Sequence, residues 1–195
     1  MTRVAVVLAG GEGRRMGGHK PLRPFGDTTL IGRALAEAHA NADVVAVAVR
    51  HLDQAGRAPD APQILDDLTL AGPLAGLASA LAFARRKRAS HVLTLPCDAP
   101  RLPADLRQRL EAALADNSSA RVAVAASAGR LHPICALWPS TADGDLRRYA
   151  ASGQSSLKGF AGELGMVVVD WDIAGEDPFA NANTPEELAA LQPVS

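Results

Sequence analysis

Apolar residues along this chain fall into two alternating kinds of run. Short β-branched or aliphatic stretches at Val4–Ala9, Val44–Val49, Gln63–Leu65, His91–Leu95, Val122–Ala126, Pro133–Leu137 and Met166–Val169 read as strands. Longer stretches rich in Ala and Leu lie between them. Thr29–Ala40, a segment opening at Pro73, Pro103–Ala115 and a last segment from Thr184 to Leu191 read as helices. Strands that feed helices in alternation build a mostly parallel sheet covered by helices, so the fold class is α/β. Local signals agree. Pro73 suits the first turn of its helix, and the basic run Arg85–Arg88 stands at its end, where cations complement the helix dipole. Thr184-Pro185-Glu186-Glu187 is a capping box with proline at the first helical position. Ser127-Ala128-Gly129-Arg130 joins two strands, and its glycine favours a turn, without deciding whether the turn closes a direct hairpin.

With 195 residues, 48% of them hydrophobic, the chain can bury a sizeable core, and one domain spanning 1–195 is expected. No repeat, low-complexity tract or linker divides it. The formal net charge of -1 lacks the positive excess of a protein that lives on nucleic acid. Val4–Ala9 after Arg3 has the charge and apolar order of a secretory signal, yet the run is short and leads into glycine and charge rather than a cleavage site, which suits a buried strand. No stretch approaches the roughly 20 apolar residues of a spanning helix. A soluble cytoplasmic protein without membrane contact is expected. Cys97 and Cys135 are far apart and outside any C-x-x-C pattern, which suits reduced, buried thiols. The five histidines show no H-x-x-x-H spacing for a permanent transition-metal site.

Chemistry concentrates in the loop after the first strand. Gly10–Lys20 holds five glycines with Arg14, Arg15 and Lys20, at the carboxyl end of a strand, where open α/β sheets bind ligands. A dinucleotide fingerprint starting at Gly11 would need glycine where Met16 stands, and Val49-Arg50-His51 lacks the ribose-binding acid. A Walker loop starting at Gly13 would need lysine where His19 stands, and Lys20 precedes Pro21 instead of Ser or Thr. Backbone amides and basic side chains in such a loop suggest a phosphate cradle; the alternative is a basic surface loop. A second feature is Pro96-Cys97-Asp98-Ala99-Pro100, where one carboxylate follows a buried strand between two prolines. A hard carboxylate there suits Mg²⁺, which takes few protein ligands and completes its shell with phosphate and water; the alternative is an Asp capping a turn.

The spacing Gly11-x-Gly13-x-Arg15-Met16-Gly17-x-x-Lys20 resembles the signature loop of nucleotidyltransferases that activate small phosphorylated molecules. Together with Leu8–Gly11, Gly72–Gly76, Pro96–Asp98, His132-Pro133 and Phe179–Leu188, it is similar to the molybdenum cofactor guanylyltransferases over almost the whole chain. The resemblance implies a Rossmann-like three-layer α/β/α nucleotidyltransferase fold. It also implies transfer of GMP from GTP to the terminal phosphate of molybdopterin, with or without molybdenum, with release of pyrophosphate. Leu8, Ala9, Gly10, Gly11 and Gly13 would contact nucleotide, Arg15 and Lys20 would hold phosphates, and Asp98 would hold Mg²⁺. Asp66 matches a further nucleotide-contacting acid, in a register its neighbour Asp67 leaves open. His132, Asn181 and Asn183 would face the pterin, against the alternatives of a strand-end histidine and of Asx-turns. A monomer making transient contacts with cofactor-insertion and delivery proteins is expected.

Two departures stand out. The family reads R-M-G-G-x-D-K, whereas Met16-Gly17-Gly18-His19-Lys20 is one residue shorter and lacks the acid. The family's polar residue on the second strand falls at Val47. Two other functions compete: a cytidylyltransferase or related transferase, which Leu8-Ala9-Gly10-Gly11 disfavours by resemblance, and a carrier of finished cofactor, which would not need Arg15, Lys20 and Asp98 together.

Overall fold

The computed structural model describes residues 2–11, 13, 16–56, 60–173 and 175–192. In chain order the elements are β1 (Val4–Leu8), β2 (Pro24–Phe25), β3 (Thr28–Thr29), α1 (Leu30–Asn41), β4 (Val44–Val49), β5 (Gln63–Leu65), α2 (Pro73–Arg86), β6 (His91–Pro96), α3 (Leu106–Asp116), β7 (Val122–Ser127), β8 (Arg130–Pro139), α4 (Asp143–Ala151), α5 (Leu157–Leu164), β9 (Met166–Trp171) and α6 (Pro185–Ala190). Seven strands form one sheet in the order β5-β4-β1-β6-β8-β7-β9, and β2 pairs with β3 as a separate short ribbon. β8 alone runs against the others, pairing antiparallel with both β6 and β7.

Alternate residues of the central strands enter two different cores. Ala5 and Val7 of β1 with Val45, Val47 and Val49 of β4 pack under α1 and α3, against Ile31, Ala34, Leu106 and Leu110. Val4, Val6, Ala46 and Ala48 pack on the opposite face, against Leu74, Leu77 and Leu81 of α2, Leu146 of α4 and Phe160 of α5. Both faces of the sheet are therefore dry, which is why these strands are continuously apolar instead of alternating with polar residues. The result is the three-layer α/β/α arrangement with a mostly parallel sheet.

The turn between β7 and β8 closes a direct hairpin. Ser127 pairs with Arg130, and the two intervening residues, Ala128 and Gly129, have φ of 47° and 72°. Positive φ at both central positions is the type I′ geometry that matches strand twist. β8 begins at Arg130 and reaches Pro139, beyond both ends of the Pro133–Leu137 expectation, and β9 extends to Trp171. The helix expected from Pro103 begins only at Leu106.

Two helices escape the apolar pattern altogether. α4 buries only Leu146 and Tyr149, too few to mark a periodic stripe. α5 contains Gly159 and Gly162, which weaken helix propensity, yet Ser156 accepts a capping hydrogen bond from Gly159 N and Phe160 stacks on Trp138 at 5.6 Å. A Cβ on Gly159 would stand 2.1 Å from the Tyr149 hydroxyl, so glycine is what lets α4 and α5 approach.

Candidate functional site

Loops leaving the carboxyl ends of β1, β4, β5 and β6 surround a cavity of about 520 Å³. Leu8, Gly10, Gly11, Gly13 and Lys20 of the first loop line it together with Asp66, Cys97 and Asp98. Arg50, at the end of β4, also reaches it. Ala9 is turned into the core, 1% exposed as a residue, and its N–H donates to Ala48 O, so its carbonyl is the group left to meet a ligand.

The glycine-rich loop is fixed from several sides. Gly13 has φ of 59°, and a Cβ there would stand 2.6 Å from Lys20 Cβ, so the loop folds tightly onto the lysine that ends it. Gly13 O accepts hydrogen bonds from Met16 N and Gly18 N. Met16 is buried with Phe25, Leu30, Ala182 and Leu188, which anchors the loop to the C-terminal segment. The Arg23 guanidinium donates to the carbonyl oxygens of Met16 and Gly18. Where the family's acid is missing, His19 takes a left-handed conformation, φ 49°, and Pro21 starts a 3₁₀ turn over Lys20–Leu22. Gln54, in the turn after β4, accepts from Arg50 N and donates to Gly11 O, so it straps the loop to the neighbouring strand end.

Lys20 Nζ donates to Asp98 Oδ2 at 2.5 Å and to Asn183 Oδ1 at 3.0 Å. The Lys20 and Asp98 side chains are only 11% and 18% exposed. The chain brings Asn183 there through backbone contacts: Ala182 N donates to Asp98 O, Asn183 N donates to Glu187 Oε2, and Thr184 Oγ1 accepts from Glu187 N. The capping box of α6 thus aims the amide that precedes it. Asn183 joins the charge centre instead of standing apart with His132. Asn181 is exposed, and its side chain makes no hydrogen bond among the described residues. Arg15 lies outside the described residues.

The two adjacent acids separate cleanly. Asp66 turns into the cavity, packed against Gly10 and Gly76, and burial raises its carboxyl above the usual range, an effect the Arg50 charge opposes. Its buried Oδ1 has no hydrogen-bond partner among the described residues. Asp67 instead accepts from the Thr69 hydroxyl and from Arg147 of α4, and these contacts, Thr69 first, lower its carboxyl. Val47 sits in the core, 1% exposed.

His132 is not among the residues that line the cavity, although Ile134, two positions later on β8, is. Its ring stacks on Phe179 at 4.6 Å, and its Nε2 lies 2.6 Å from Ser127 Oγ, which donates to Asp177 Oδ1 at 2.9 Å. Burial lowers the His132 pKa below the usual imidazole value, against the opposing pull of Asp177. Among the described residues no group of three or more His, Cys, Asp or Glu side chains could hold a metal by itself. A cation here would depend on Asp98, a neutral oxygen and the ligand's own phosphates. Among the described residues no helix is long and apolar enough to cross a membrane.

Sequence reasoning did not find Gln54, Arg23, Ser127 or Asp177. None belongs to a short motif, and each acts through a contact that only the folded chain creates, apart from Arg23, whose spacing from Lys20 is uninformative alone.

Residues 5–167 match the family model described as a MobA-like NTP transferase domain. A molybdenum cofactor guanylyltransferase of Rhodopseudomonas palustris (strain BisB5) is 39% identical over 196 residues, covering 98% of this chain and 93% of the relative. The crystal structure of molybdopterin-guanine dinucleotide biosynthesis protein A from Archaeoglobus fulgidus superposes with a TM-score of 0.73 at 21% identity, covering 96% of this chain and 95% of that one. A Mycobacterium tuberculosis H37Rv protein, Rv0371c, solved in complex with manganese, superposes with a TM-score of 0.67 at 19% identity, covering 98% of both chains.

Proposed function

Since the chain belongs to the family of MobA-like NTP transferase domains, we infer that it transfers GMP from GTP to the terminal phosphate of molybdopterin. A phosphate oxygen of molybdopterin forms a bond to the α-phosphorus of GTP, the bond from that phosphorus to the bridging oxygen breaks, and pyrophosphate leaves with the electron pair. The product is the guanine dinucleotide form of the cofactor. The nucleophile is already an ionised phosphate, so the protein needs no strong base; its task is to align two polyanions and offset their repulsion.

The observation that carries this reading is the junction of Lys20, Asp98 and Asn183 beside the glycine-rich loop. Lys20 would meet the phosphates there, together with Arg15, while amides of the loop from Gly10 to Gly13 cradle them. The unpartnered Oδ1 of Asp66 offers a buried acceptor, which an N–H or O–H of the nucleoside would satisfy. His132 and Asn181 would serve the pterin.

A divalent cation suits the same oxygens. Asp98 Oδ2 and Asn183 Oδ1 already converge on one positive charge, the Lys20 ammonium, and a carboxylate with a neutral oxygen is chemistry that Mg²⁺ accepts when phosphates complete its shell. Asp98 would hold the ion, and when bound it would draw charge from the phosphoryl oxygens. Release of Asp98 from Lys20 would then free the ammonium for phosphate. The protein is proposed to be a cytoplasmic monomer that passes its product to delivery partners.

Incubating purified protein with molybdopterin, Mg²⁺ and either GTP or CTP tests the assignment. Molybdopterin-dependent pyrophosphate release is expected with GTP and at least tenfold less with CTP, a discrimination of about 1.4 kcal/mol. Efficient turnover with CTP alone would overturn the nucleotide assignment, and binding of the dinucleotide without turnover would favour a carrier.

A further inference from the structure

We propose that Ser127 and Asp177 are positioning residues that lock His132 in its Nε2–H form, leaving Nδ1 as a hydrogen-bond acceptor for a donor on the pterin. The inference rests on the functional reading above, and follows from counting protons in one buried contact chain.

Ser127 is fully buried at the end of β7, and its single hydroxyl proton has two neighbours. Asp177 Oδ1 lies 2.9 Å away and His132 Nε2 lies 2.6 Å away. A carboxylate only accepts, so the serine proton goes to Asp177. Ser127 Oγ is then an acceptor toward His132, and the proton between them belongs to Nε2. In a neutral ring that leaves Nδ1 bare. Among the described residues none donates to Nδ1, which leaves that nitrogen available to a ligand. Burial, which disfavours the imidazolium, supports the neutral ring.

Asp177 does a second thing. The same Oδ1 accepts from Phe179 N at 2.9 Å, and Phe179 stacks on His132 while its ring meets Trp171 edge-on at 5.3 Å. One carboxylate oxygen therefore fixes both the proton on His132 and the ring that covers it. Phe179, stacked on His132, stands three residues before Ala182, whose N–H donates to Asp98 O, and four before Asn183, which accepts from Lys20, so one short segment links His132 to the Lys20 centre. A pterin offers ring N–H and amino donors, which an unprotonated Nδ1 can select and an N–H at the same place would repel.

The test joins a spectroscopic and a kinetic readout on the full chain. Long-range ¹H–¹⁵N correlation of ¹⁵N-histidine-labelled protein at pH 7.5, with His132 assigned by His132→Gln, is expected to show a protonated Nε2 and an unprotonated Nδ1. Ser127→Ala is expected to abolish that preference and to raise KM for molybdopterin about tenfold, leaving KM for GTP within about twofold, the unchanged GTP value also reporting an intact fold. Asp177→Asn keeps an acceptor oxygen for Ser127 and Phe179, so it is expected to retain the Nε2–H signature. A protonated Nδ1 in the wild type, or equal changes in both KM values for Ser127→Ala, overturns the proposal. Absence of any guanylyl transfer by the wild type overturns the functional reading instead, and the tautomer measurement distinguishes the two failures.

Discussion

A carboxylate oxygen with no partner is expensive to bury, and Asp66 keeps one at the wall of a cavity lined by glycines. Its raised pKa is the signature of that cost. The sign follows: the folded protein holds the Asp66 proton more tightly than the unfolded chain does, so the ionised side chain opposes folding. The penalty is fully present above the raised folded pKa and fades as pH falls toward the ordinary value of 3.8. Asp66→Asn is therefore expected to raise Tm of the ligand-free protein at pH 7, with the advantage shrinking as melts are repeated toward pH 3.5. The same substitution is expected to raise KM for GTP about tenfold, because the carboxylate proposed to accept from the nucleoside becomes a neutral amide with one acceptor oxygen in place of two. An unchanged Tm at pH 7 would mean that Asp66 is not strained. At this scale the sequence made Lys20 and Asp98 legible, because each sits in a short motif at a strand end. It could not choose Asp66 over Asp67, since the choice depends on Arg147 and Thr69 drawing the second acid away. Nor could it pair Asn183 with Lys20, which stands 163 positions earlier.

Elements show where the apolar pattern ends as a guide. Strands buried on both faces, and helices with broad Ala and Leu stripes, were readable with shifts of a few residues at their ends. α4 and α5 were not, because each is stabilised by its neighbour more than by its own periodicity. Gly159 makes the point: it lowers helix propensity in α5 and yet permits the contact with Tyr149, whose hydroxyl donates to Ser156 O. Gly159→Ala should raise intrinsic helix propensity and still destabilise, by about 1–3 kcal/mol, because the new methyl displaces that hydroxyl. Urea denaturation gives the answer, and a stabilised variant would show that the two helices have room to separate. The loop from Gly10 to Lys20 has a similar division. Its glycines and lysine suggest a phosphate cradle, while the contacts that shape it come from Arg23 just after it, from Gln54 in the turn after β4, and from the packing of its own Met16 against Ala182 and Leu188 of the C-terminal segment.

For the molecule as a whole, the sheet sets the site by placing four strand ends around one cavity, with β1 at its centre between β4 and β6. Cys97 and Cys135 lie in the core beside that cavity, and both thiols are held protonated by burial, Cys97 at about 12. Alkylation by iodoacetamide at pH 8 should accordingly be negligible over an hour in the native protein and complete in denaturant, as read by intact mass. Fast labelling of native Cys97 would mean that the wall behind Asp98 opens. The family relation, the cavity and the paired charges all bear on one event, attack at the α-phosphorus of GTP. The most direct test follows the label. With [α-³²P]GTP, molybdopterin and Mg²⁺, radioactivity should appear in the dinucleotide product, whereas with [γ-³²P]GTP it should appear only in pyrophosphate. Transfer of the γ label to molybdopterin, or of neither label, would contradict the account.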